Sequence, residues 1–206
     1  MSVQVDIVGL ESAELFFETQ PQRSAMAASR AINQILTRSG MALARDTIME
    51  QIAFPKDYLT GDRLAVSLYA TPGNLVGALK ARKRATSLAR FATGGAINVP
   101  GVSVQVRRGK TEFLRKAFLV KLKRGASFDE DNYNVGLAVR IKAGEKIVDK
   151  RTTHRSWLEG SADAGGLALL YGPSVDQVFR EVADRIEPGI LDLLAAEFFR
   201  QYDLLS

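Results

Sequence analysis

The side chains that could do chemistry are few and scattered. His154 is the only histidine, and a histidine base needs an orienting carboxylate and a nucleophile within hydrogen-bond reach. Asp149 and Ser156 lie near it in the chain, but this spacing matches no catalytic arrangement. We therefore interpret His154 as a loop residue beside Arg151 and Arg155.

The acidic stretch "DEDN", Asp129–Asn132, is the best candidate for oxygen ligands to a cation. A calcium loop of the EF-hand type needs acids at alternating positions, a central glycine and a distal glutamate, and this stretch does not complete that pattern. It is more typical of a solvated loop. The absence of cysteine excludes a thiolate zinc site, a cysteine nucleophile and a disulfide framework. We expect no cofactor, no metal site and no enzymatic activity.

"GPS", Gly172–Ser174, stands before a long apolar-periodic run. A phosphate-binding loop would carry a lysine followed by serine or threonine after its glycine, and none follows here. Asp176 would also place negative charge in the first helical turn, where it would repel an anion. Ser174 and Gln177 instead form an S-x-x-Q pattern, which predicts a capping box at the start of a helix.

Basic residues are concentrated in the middle of the chain. Residues 80–124 contain thirteen lysines and arginines and a single acid, Glu112. The window therefore carries +12, and the rest of the chain carries −7. Such asymmetry favours contact with nucleic acid or an acidic protein surface, and its alternative is a solvated sheet face with no partner. The candidate contact surface consists of Arg82, Lys83, Arg84, Arg107, Arg108, Lys110, Arg115, Lys121, Lys123 and Arg124.

The elements that position these residues follow from periodicity. Apolar residues at helical spacing predict a long helix over about 24–52 and another over about 174–204, which Pro188 should kink or divide. Alternating patterns predict strands between them, and 101–125 is interpreted as one hairpin with a basic face. The order predicts an α+β fold, with a mainly antiparallel sheet packed against two long helices.

The 206 residues fit a single α+β domain. We expect an extended N-terminal arm over 1–20, where "SVQVDIVGLE" alternates like a strand, and mobile loops near 126–134 and 156–168. No stretch has the apolar length of a signal peptide or a membrane span, so we expect a protein made in the cytoplasm, with no membrane partner.

Four segments, taken in order, resemble the tailed-bacteriophage minor tail protein Z family. They are "RSAMAASRAINQILTRSGMALARDTI", "YLTGDRLAVSLYATPGNLVGALKARKRATSLARF", "GVSVQVRRGKTEFLRKAFLVKLKRG" and "LLYGPSVDQVF". The resemblance covers about residues 22–205. "FDEDNY" and "EGSADAGG" depart from the family pattern.

The resemblance implies a structural virion protein, a viral tail-completion or neck protein at the head-proximal end of the tail. Such a minor tail protein would act in virion assembly, helping to finish the tail and in head-tail joining. The implied partners are other phage tail and neck proteins: the tail terminator, a head-closure or connector ring, and the tail tube. A homo-oligomeric ring of six is implied by analogy. The basic surface would meet an acidic neighbour or, nonspecifically, genomic DNA in the channel.

A free basic nucleic-acid-binding protein is the alternative. The basic window carries Phe91, Phe113 and Phe118, which could stack on bases. No helix-turn-helix pair and no RNP-like aromatic strand is visible in the sequence, however.

Overall fold

The computed structural model describes residues 16–122, 134–142, 157–158 and 166–205. Its long helices are α1 (Pro21–Thr37), α2 (Ser39–Gln51) and α3 (Val175–Asp203). The strands are β1 (Leu64–Leu68), β2 (Ala78–Ala81), β3 (Thr86–Ser87), β4 (Ala92–Ala96), β5 (Val99–Val104), β6 (Glu112–Leu114), β7 (Ala117–Leu122), β8 (Asn134–Ile141), β9 (Trp157–Leu158), β10 (Gly166–Leu169) and β11 (Tyr171–Gly172). Short 3-10 helices span Gly61–Arg63 and Leu88–Phe91.

The chain forms two compact units. The helical unit comprises Met1–Met49, Asp57–Arg82 and Val175–Ser206, and the strand unit comprises Glu50–Lys56 and Lys83–Ser174. The single domain expected from the length stays a prediction, because a compact unit need not fold alone.

In the helical unit, the alanine-rich face of α1 packs against large side chains of α3. Ala27, Ala28 and Ala31 are buried. Because these side chains are small, the helices approach closely enough to bury Phe198 and Tyr202 from α3. Burying one such aromatic side chain contributes about 1.5–3 kcal/mol.

An arginine joins the beginning of α1 to the end of α3. The guanidinium of Arg23 donates from Nη2 to the carbonyl oxygen of Tyr202 at 2.8 Å and lies 4.0 Å from the centroid of that ring. The Ser24 hydroxyl, fully buried, donates to the carbonyl oxygen of Phe16 at 2.7 Å. The first described turn is therefore fixed to the helix pair.

The helix predicted over 24–52 exists but is not continuous. It begins at Pro21, a favoured residue in a first helical turn, and breaks at Arg38, where φ is −126° and ψ is −97°. The sequence pattern crosses this break without interruption, so periodicity alone did not reveal it. The helix predicted over about 174–204 is α3, and it runs through Pro188 without dividing. The division is therefore excluded, and the kink expected near Pro188 stays a prediction.

The described strands of the strand unit form three antiparallel sheets with the orders β7-β8-β10-β9, β4-β5-β6 and β11-β3. Val102, Val104, Ala117 and Leu137 form their common buried core. The hairpin expected over 101–125 was wrong, because β5 pairs with β6 and β7 pairs with β8. The remaining pair, β1 and β2, lies in the helical unit.

The α+β class and the mainly antiparallel pairing are confirmed. The strand predicted near the N-terminus, the acidic stretch Asp129–Asn132 and His154 lie outside the described residues. Among the described helices, none combines the length and the apolar character that crossing a bilayer requires.

Candidate functional site

Three of the candidate basic residues lie on one tight turn between β5 and β6. Gly109 adopts a φ of +76°, a conformation that glycine tolerates best, and the Lys110 amide donates to the Arg107 carbonyl oxygen at 3.1 Å. Arg107, Arg108 and Lys110 are all exposed. Lys110 also forms an ion pair with Glu112, with 3.1 Å between Nζ and Oε1.

Other basic side chains of the strand unit lie on different elements. Lys83 and Arg84 are exposed before β3, and Arg115 and Lys116 are exposed between β6 and β7. Because β5 and β6 are antiparallel, Arg115 and Lys116 lie at the opposite end of the short β5-β6 pair from the 107–110 turn. The basic residues therefore occupy several turns of the strand unit instead of one face of a hairpin.

Five exposed basic residues of the strand unit form no ion pair with a described residue. Within the described ranges, Lys83, Arg84, Arg107, Arg115 and Lys116 have no carboxylate within ion-pair distance. Lys121 is exposed on β7.

Three candidate residues fall elsewhere. Arg82 belongs to the helical unit, where its Nη1 lies 3.9 Å from Oδ2 of Asp62. Lys123 and Arg124 lie outside the described residues.

The charge asymmetry of the sequence separates by unit. The described residues of the strand unit include twelve bases and two acids, whereas those of the helical unit include ten bases and eleven acids. Helix α3 alone has seven acids and three bases. One unit is therefore strongly cationic and the other slightly anionic.

Of the three phenylalanines considered for stacking, only Phe113 is accessible. Phe91 and Phe118 are buried, and the Phe118 ring is covered by the guanidinium of Arg140 at 5.3 Å from its centroid. Phe113 is 62% exposed on the outer face of β6. Its ring lies over Gly101, where a Cβ would meet Cζ at 3.0 Å, so the missing side chain of Gly101 makes room for it.

Ser174 lies where the capping pattern predicts. It is 3% exposed and immediately precedes Val175, the first residue of α3. Gln177 stands three residues beyond it, in the first turn. The position fits an N-cap, and the capping box itself stays a prediction.

The helical unit contains an apolar groove that the sequence reading missed. It has a volume of about 460 Å³ and lies between α1, the start of α2, α3 and residues 75–81, which include β2. Its apolar walls are formed by Ile32, Leu36, Leu75, Leu79, Phe179 and Ile190. Most of these side chains are only half-buried, as expected for the walls of an open groove.

Two glycines set the shape of this groove. At Gly77 a Cβ would meet Cγ2 of Ile32 at 2.6 Å, and at Gly40 it would meet Cδ1 of Ile190 at 2.8 Å. Neither position has room for a side chain, so the chain approaches α1 closely at Gly77 and α3 closely at Gly40. The sequence signal was these two isolated glycines, which punctuate otherwise apolar segments.

One edge of the groove, along α3, is acidic. Asp184 and Glu187 are exposed there and form no ion pair with any described residue. Asp176 is compensated by Arg180, with 2.8 Å between Oδ2 and Nη2. The groove therefore combines an apolar floor with net negative charge at its edge.

Among the described titratable groups, the pKa of one carboxyl is shifted by a neighbouring arginine. The hydrogen bond from Arg200 lowers the pKa of the Glu197 carboxyl, partly opposed by burial, and this pair lies on the surface of α3. Among the residues that the structure describes, no three His, Asp or Glu side chains come together as metal ligands.

Comparisons with family models, with curated proteins and with solved structures found no match for this chain. The resemblance to a phage tail family therefore rests on the four sequence segments alone.

Proposed function

We propose that this chain is a structural virion protein of a tailed bacteriophage, a tail-completion or neck protein at the head-proximal end of the tail. The proposal rests first on the order of the four sequence segments that resemble minor tail protein Z. It agrees with the structure, whose most prominent described features are an exposed basic surface on the strand unit and a groove on the helical unit.

The observation that carries the proposal is the uncompensated positive charge of the strand unit. Exposed lysines and arginines without carboxylate partners stay hydrated and accessible, which suits electrostatic contact with an acidic neighbour. Long-range attraction of this kind sets the rate and register of association more than its strength. The same positive charge could also contact the phosphates of DNA in the channel, and such contacts carry no sequence information.

The alternative, a free nucleic-acid-binding protein, receives less support. Two of the three rings considered for base stacking are buried, and one exposed ring makes a poor platform for successive bases. Salt titration of binding to a DNA duplex separates the two, because a free DNA-binding protein should lose several decades of affinity between low and physiological salt.

Charge reversal on the strand unit tests the proposed role. We expect the double variant Arg84→Glu, Arg107→Glu to fold normally, because exposed charges contribute little to stability. It should nevertheless reduce the number of joined particles when it replaces the wild-type protein during phage growth, counted by electron microscopy.

Arg30→Glu combined with Arg38→Glu, two residues of the helical unit, is the matched control. Both residues are exposed, the charge change is the same, and neither belongs to the basic window. Equal numbers of joined particles with the two double variants would show that the basic surface has no special role.

A further inference from the structure

We propose that the acidic-edged groove of the helical unit receives Phe113 of a second copy of this chain, in a head-to-tail contact. The inference rests on the proposed role as an assembly protein, and it names one partner of that assembly. Its two halves lie on different units, so each copy offers one donor surface and one acceptor surface.

The donor surface is an exposed aromatic next to uncompensated positive charge. Phe113 projects from the outer face of β6, and Val99, which is 53% exposed, lies on the same face of the neighbouring strand β5. Arg115 and Lys116 follow after Leu114 and form no ion pair with described residues. Aromatic and arginine side chains are the commonest energetic centres of protein interfaces.

The acceptor surface complements the donor surface, because a groove can receive a projecting ring and its acidic edge has the opposite charge. The groove offers about 460 Å³ between half-buried aliphatic walls, enough for an aromatic side chain and its neighbours. Asp184 and Glu187 at its edge would face the Arg115 and Lys116 of the incoming copy. Opposite charges around an apolar centre fix register and exclude wrong partners.

A contact between two different surfaces of the same chain is heterologous. Such contacts close into rings when the rotation between copies allows it, and otherwise continue as filaments. A copy bound through its groove still has its Phe113 surface available, so assembly should proceed beyond two chains.

Sedimentation of the purified full chain over a range of concentrations tests the contact. We expect wild type to form species larger than a dimer. Phe113→Ala should weaken association at least about tenfold, because it removes the central aromatic. Asp184→Lys, and independently Ala183→Phe, which fills the groove without changing charge, should do the same.

Two matched controls should assemble as wild type. Tyr69→Ala removes another aromatic, 56% exposed, that does not line the groove. Asp192→Lys reverses an exposed aspartate on the same helix that does not line the groove and forms no ion pair with a described residue. Circular dichroism of every variant shows whether it is folded.

Mixing two defective variants gives the sharpest result. Phe113→Ala retains an intact groove, and Ala183→Phe retains an intact Phe113, so an equimolar mixture should form a heterodimer and stop there. The proposal is overturned if wild type stays monomeric or stops at a dimer, if either variant assembles like wild type, or if the mixture stays monomeric. Because these masses are measured without phage, their outcome is independent of whether the protein joins heads to tails.

Discussion

Asn33 shows how a single side chain holds the helical unit together. Its Nδ2 donates to the Ala70 carbonyl oxygen at 2.9 Å, and its Oδ1 accepts from the Ala70 amide at 2.8 Å. The amide group thus pairs with the backbone beyond β1 as another strand would. Ala70 is buried, so its backbone groups have little access to water as a substitute partner.

Asn33→Ala should therefore destabilise the protein by about 1–3 kcal/mol, the cost of leaving buried backbone groups unsatisfied. Asn33→Asp should cost a similar amount, because it keeps the acceptor but loses the donor. Thermal or urea unfolding measures both.

Gln34→Ala is the control, because the side chain of this neighbouring residue makes no such pair of hydrogen bonds. It should change the free energy of unfolding by less than about 0.5 kcal/mol. If Asn33→Ala changed stability no more than the control, the two hydrogen bonds between Asn33 and Ala70 would contribute nothing to stability.

For single residues, the sequence predicted local roles, such as the start of a helix, better than contacts with distant parts of the chain. Ser174 lies at the start of α3 as its pattern predicts. Phe113 and Phe118 look alike in sequence, yet one is exposed and the other buried. Both β6 and β7 are edge strands of their sheets, so the difference comes from what packs around each ring: Arg140 covers Phe118, whereas Phe113 lies over Gly101 on the surface. No local pattern encodes that. Asn33 stood within a recognisable segment, but its partner lies 37 residues away.

Gly40 lies two residues beyond the break between α1 and α2, where the chain is closely packed. A glycine inside a helix normally costs about 1 kcal/mol relative to alanine, so its presence needs a reason. Here a Cβ would lie 2.8 Å from Cδ1 of Ile190 and 2.9 Å from the Ile35 carbonyl oxygen. The carbonyl belongs to the backbone and cannot move aside as a flexible side chain could.

Gly40→Ala should therefore destabilise the protein, the opposite sign from the usual effect in a helix. Overpacking of this kind typically costs about 1–3 kcal/mol, which exceeds the gain in helix propensity. The midpoint of thermal unfolding measures the change. Gly73→Ala, with nothing within 4 Å of the added Cβ, is the control. A Gly40→Ala variant more stable than wild type would contradict the packing described here.

Among the elements, the helices were predicted more successfully than the sheets. A 3.6-residue period identifies a helix from its own residues, so both long helices were placed within a few residues. Pairing in a sheet depends on distant segments and on turns. The chain turns at Gly109 and again at Arg115–Lys116, which assigns β6 and β7 to different partners. The alternating pattern within 101–125 predicted the strands but not which strand pairs with which.

For the whole molecule, charge is the feature that the sequence predicted most usefully. The basic window falls almost entirely in the strand unit, and α3 of the helical unit carries the largest acidic excess among the helices. The groove was not predictable, because its walls come from three separated segments brought together only by folding. The cationic unit and the acidic-edged groove are the two features on which the proposed assembly rests.

Deletion of the coding gene from its phage is the most direct test of the central claim, that this chain completes the tail for joining to the head. Purified particles would be counted by electron microscopy, with and without the wild-type protein supplied in trans. The account predicts that heads and tails accumulate unjoined without the protein and that joining recovers when it is supplied. Normal numbers of infectious, joined virions without the protein would contradict it.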